Sequence, residues 1–82
     1  NDPAWESYEA VRHQVIVYHQ EIYFCYQSKY YWIAYAHDGQ TYLSDEQGNT
    51  QSFSSARALF ENARIDGYLL KDIWEKVTVD AC

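Results

Sequence analysis

Apolar residues in this chain follow two different periods, and the change between them marks out its elements. In "NDPAWESYEAVRH", Trp5, Tyr8 and Val11, with Val15 beyond, recur at three- and four-residue spacing, which predicts an amphipathic N-terminal helix. Asp2 is placed to cap it, Pro3 fits the first helical position, and Glu6 and Glu9 lie near the positive end of the dipole. "QVIVY" follows; its β-branched residues favour a strand, although the helix can also run on through it.

From Glu21 the period falls to two. "EIYFCYQSKYYWIAYAHDGQTYL" reads as a hairpin with Ser28 and Lys29 as its two-residue turn, setting Cys25 opposite Trp32, Phe24 opposite Ile33 and Ile22 opposite Tyr35. Cross-strand pairs share a face, so Ile22, Phe24, Tyr26, Tyr31, Ile33 and Tyr35 lie together. Tyr23, Cys25, Trp32 and Ala34 take the other side. An antiparallel sheet with one wet face alternates apolar with polar residues. Here apolar alternates with apolar, so either helices cover both sides or one side meets a partner.

"HDG" supplies the next turn. A two-residue loop at Asp38-Gly39 would put Leu43 on the face away from Ile33. A three-residue loop with Gly39 in the left-handed bulge position sets Leu43 opposite Ile33, which matches the hydrophobic pattern. A further turn around Gly48-Asn49 leads to a short strand ending near Phe53. "ARALFENARI" returns to the helical period, with Ala56, Leu59, Phe60 and Ala63 on one side and Ser54 or Ser55 as cap. "IDG" breaks it at Gly67. "YLLKDIWEKV" then predicts a second helix with Leu70, Ile73, Trp74 and Val77 inward, and "TVDAC" either adds an edge strand or frays. The expected fold is one small α+β domain over residues 1–82. It comprises an N-terminal helix, an antiparallel β-meander of three to five strands, and two C-terminal helices packed on one face of the sheet.

Composition sharpens this picture. Aromatic residues make up 18% of the chain, and large rings supply much buried area to a chain near the lower size limit for a core. Twelve acidic residues oppose six basic ones, for a net charge of −6, and the basic residues form no patch. Binders of nucleic acid or of anionic membranes need a basic stripe to neutralise phosphates, so both partner classes are disfavoured. The chain has no methionine, even at position 1, and reads as a processed or trimmed product, from which either a signal peptide or a cloning tag could have been removed. Cys25 and Cys82 could pair, which in the chain-entropy model stabilises by about 4 kcal/mol, or could remain thiols; no compartment follows.

The chemistry-bearing residues assemble no reactive set. His13, His19 and His37 lack metal-motif spacing, Cys25 faces Trp32 rather than a base, and Gly39, Gly48 and Gly67 are isolated turn residues. No catalytic residue, metal site or cofactor is expected. "GQTYLSDEQGNTQSFSSARALFENARIDGYLL" resembles the later half of a Src-homology-2 domain. That family's phosphate-binding arginine has no counterpart in "IYFCYQ", so neither membership nor phosphotyrosine recognition follows.

The sequence therefore points to a non-enzymatic interaction domain, a small acidic regulator or inhibitor that binds another protein or itself as a homodimer. Tyr23, Trp32, Ala34 and Tyr42, with Tyr30 at the margin, are the candidate interface. The alternative is a small-ligand-binding protein or minor enzyme with a tyrosine-lined pocket near His37.

Overall fold

A computed structural model describes residues 7–80. Its first helix, α1 (Tyr8–Tyr18), begins at Ser7, whose side chain accepts a hydrogen bond from the Ala10 N–H at 3.1 Å. The expected cap at Asp2, the Pro3 start and the contributions of Trp5 and Glu6 lie outside the described residues. The helix runs through "QVIVY" rather than yielding to a strand. β-Branched residues cost a helix only tenths of a kcal/mol each, whereas continuing brings Val15 beside Val11 in the core. His19 ends the helix at φ 56°, with its N–H bonded to the Val15 carbonyl and that of Gln20 to the Gln14 carbonyl. This is the left-handed closure usually given to glycine.

Strands β1 (Ile22–Tyr26), β2 (Lys29–Tyr35), β3 (Thr41–Asp45) and β4 (Thr50–Phe53) form an antiparallel meander. The first turn corrects the expected register. Gln27 and Ser28, not Ser28 and Lys29, occupy it at φ 53° and 65°. Two positive φ values give the turn the twist that joins hairpin strands without splaying them. Cys25 therefore opposes Tyr30, Phe24 opposes Tyr31 and Ile22 opposes Ile33. The slip amounts to two residues, so every side chain keeps its expected face. The second turn is the three-residue loop, with Gly39 at φ 88° and Ile33 paired to Leu43.

Helix α2 (Ala56–Asn62) is capped by Ser55, which accepts from the Ala58 N–H at 3.0 Å. It is shorter than the expected segment. Arg64–Ile65 (β5) pairs instead with Tyr68–Leu69 (β6) across Asp66-Gly67, both at positive φ. The Gln51 side chain holds this small hairpin to β4 by bonding the Arg64 carbonyl and N–H. The last helical segment is also short: α3 (Leu70–Ile73) followed by a 3₁₀ turn (Trp74–Lys76). Thr78–Val79 (β7) then pairs antiparallel with β1, completing a five-stranded sheet in the order β4-β3-β2-β1-β7. Among the described residues the architecture is α+β, with one antiparallel five-stranded sheet and three helices.

One cluster holds the core. Ile22, Phe24, Ile33 and Leu43 of the sheet meet Val11 and Val15 of α1, Leu59 and Phe60 of α2, and Leu70, Ile73 and Trp74 beyond. The N-terminal helix therefore shares a side with the later helices, and among the described residues no helix packs on the opposite face.

Candidate functional site

The face of the sheet away from the described helices is built by strand alternation in three rows. Tyr23, Trp32, Ser44 and Thr50 form the central one, paired strand to strand. Ala34, Tyr42 and Ser52 form the row toward the Gly39 turn, and Tyr30, Cys25 and Thr78 the row toward the Ser28 turn. All five sequence-predicted interface residues thus fall on one surface. Tyr23 is 49% exposed, while Tyr30, Trp32, Ala34 and Tyr42 are half-buried. Tyr23 meets Tyr30 edge-on at 6.0 Å and lies tilted beside Trp32 at 6.2 Å between ring centroids. Ser44 and Thr50 share a hydroxyl hydrogen bond of 3.0 Å.

No side chain in these rows carries a formal charge. Two acidic residues border them instead, one beside Tyr30 and one beside Tyr23. Glu46 accepts from the Tyr30 N–H at 2.8 Å, and the Asp80 N–H donates to the Tyr23 carbonyl at 2.8 Å. The face is a neutral aromatic platform bordered by Glu46 and Asp80. Cys25 lies within it, 8% exposed and disulfide-bonded. The chain's other cysteine, Cys82, lies outside the described residues.

A second feature sits on the helix side, at the end of the sheet that carries the Gly39 turn. A cleft of about 650 Å³ is lined by His19, Glu21, Tyr35, Thr41, Ser55 and Arg57, with His37 on the turn above. Tyr35 is the one tyrosine that lines this cleft near His37, and the additional hydroxyls belong to Thr41 and Ser55. The Tyr35 hydroxyl donates to the Val15 carbonyl, and the His19 ring stands edge-on to it at 5.5 Å. Burial, and then the nearby Glu21 carboxylate, push the Tyr35 phenol above its ordinary pKa. Apart from His37, none of the lining residues carries a sequence signal for binding. Each is an ordinary loop, cap, strand-end or helix residue, brought to the cleft by the packing of helices and strand ends.

Among the described residues no group of three His, Cys, Asp or Glu side chains is disposed to hold a metal ion, and no helix is long and apolar enough to cross a membrane. No protein-family model matches the chain, and no curated protein or solved structure matches it.

Proposed function

We propose that this chain is a non-enzymatic interaction module whose binding surface is the aromatic face away from the described helices, and that its partner is a protein presenting apolar side chains ringed by basic ones. The single observation that carries the reading is the neutral pair of Tyr23 and Trp32 with Tyr30 beside it, Tyr23 exposed and the other two half-buried, with Glu46 next to Tyr30 and Asp80 next to Tyr23. Tyrosine and tryptophan supply large contact area at small entropic cost, and rim charges select and steer the partner. A net charge of −6 draws basic surfaces in and repels a second copy.

The size of the face sets the strength. Strands about 4.8 Å apart and some five residues long make a footprint of roughly 400 Å², below the about 800 Å² per partner of a standard stable interface. The complex is therefore transient, and its affinity rests on the rings.

Selection of random displayed peptides on the immobilised chain tests this reading. The expected winners combine aromatic residues with Lys or Arg and lose binding to a folded Trp32→Asp variant. Winners that bind Trp32→Asp equally well overturn it. So does reversible self-association that Trp32→Asp abolishes, which would make a second copy the occupant.

A further inference from the structure

The cleft beside the Gly39 turn carries an inference independent of the aromatic face. Its components come from four successive strand ends. Glu21 precedes β1, Tyr35 ends β2, Thr41 opens β3, and Ser55 and Arg57 follow β4. Strand order therefore places the acid and the base at opposite flanks, about three strand spacings or 14 Å apart at the backbone. Neither takes part in an ion pair among the described residues. Between them Thr41 is fully buried, and its hydroxyl has no hydrogen-bond partner. Buried hydroxyls are nearly always satisfied, and leaving one without a partner costs free energy. The Ser55 oxygen accepts from the Ala58 N–H, which leaves its own hydrogen to donate.

These groups select among ligand classes. A simple anion would meet Glu21 and the field of an acidic chain; a simple cation would meet Arg57. A ligand with both charges and no net charge meets neither objection. We infer that the cleft binds a small zwitterion of amino-acid type, with its carboxylate toward Arg57, its ammonium toward Glu21 and the Thr41 hydroxyl bonded to its polar centre. Ile16, Ala36 and Ala56 supply apolar lining for its side chain. A cleft of this volume, open on one side, holds a single amino acid or a short peptide.

The test is an amide chemical-shift titration of the full chain with free α-amino acids up to about 10 mM, the range of weak single-site affinities. Sodium acetate, ethylamine and glucose serve as single-feature controls. The expected result is saturable movement of Tyr35, Thr41 and Ser55 with at least one amino acid and with none of the controls. Arg57→Gln should weaken that binding by about tenfold, the worth of one charge-assisted contact. Thr41→Val should weaken binding while raising the thermal midpoint of the free protein, because it removes a hydroxyl that lacks a partner. A hydroxyl with a purely structural role predicts the reverse: a lowered midpoint and unchanged binding. Absence of saturable shifts with every amino acid overturns the inference. So do equal shifts with acetate or ethylamine, and so does glucose acting on the same residues, which would assign the cleft to neutral polyols. Trp32→Ala leaves these titrations unchanged, so failure here is distinguishable from failure of the aromatic-face reading.

Discussion

Asp45 and Asn49 close the β3–β4 turn on one another: the Asp45 carboxylate accepts from the Asn49 N–H at 3.0 Å and from its side-chain amide at 3.1 Å. The Gln47 N–H adds a third bond at 2.9 Å, and Lys29 Nζ stands 3.6 Å away. Desolvation pushes this acid upward, but the bonds from Asn49 and Gln47, with Lys29 behind them, prevail and hold its pKa below the ordinary carboxylate value. A lowered folded pKa contributes stability that is fully present above the unfolded value, about 3.9, and is lost as pH falls through the folded one. Urea denaturation of the parent and of Asp45→Asn should therefore differ by a constant margin from neutral pH down to about pH 5. The two should converge on further acidification. A margin that persists undiminished at the acid limit would remove the carboxylate from this role.

Adjacent residues on opposite faces should respond differently to truncation. Leu43 is buried in the core, while Tyr42 lies half-buried on the open side. Leu43→Ala should cost about 2–5 kcal/mol, a large share of the roughly 4–12 kcal/mol expected for a chain of this length. Tyr42→Ala should cost about 1 kcal/mol or less, within the span of strand preference. Equal losses in denaturant midpoint would mean that the second face is packed as tightly as the first.

The first hairpin turn holds two non-glycine residues at positive φ, Gln27 and Ser28. L-residues resist that conformation by roughly 1–2 kcal/mol each, and Asn-Gly is the pair that tolerates it best. Gln27→Asn combined with Ser28→Gly should raise stability by about 1 kcal/mol after the added freedom of glycine in the unfolded chain is counted. Destabilisation by the pair would argue for the other turn, at Ser28-Lys29.

Cys25 is disulfide-bonded, and Cys82 is the only other cysteine in the sequence. A loop of that length stabilises by about 4 kcal/mol in the chain-entropy model. Reduction should lower the denaturant midpoint steeply, and replacing both cysteines with serine should abolish the response to reductant. A midpoint indifferent to dithiothreitol would contradict a stabilising bridge.

Much of this molecule was legible in its residues, for reasons tied to locality. The faces of β1, β2 and β3 follow from alternation alone, and an even register slip at Gln27-Ser28 leaves them intact. Gly39 identified its loop because few other residues accept φ 88° there. What was hidden depends on distant contacts. Arg64 leaves the helical period because Gln51, thirteen residues earlier, binds its backbone, and Asp66-Gly67 closes a two-residue hairpin where the sequence suggested only a helix stop. β7 is two residues long and gains its place from β1, more than fifty positions away. The five candidate interface residues lie on adjacent strands and could be read from period two. The cleft could not, since Glu21, Thr41 and Arg57 come to line it only through the order of four strands.

The most direct measurement of the central claim is amide shift mapping with a short peptide combining tryptophan and lysine, of the kind the selection is expected to yield. The aromatic-face account predicts perturbations at Tyr23, Tyr30, Trp32 and Tyr42, weakening as salt rises and vanishing in folded Trp32→Asp. Shifts confined to the helix side around Tyr35, Thr41 and Ser55, or a mapped surface unmoved by Trp32→Asp, would contradict it.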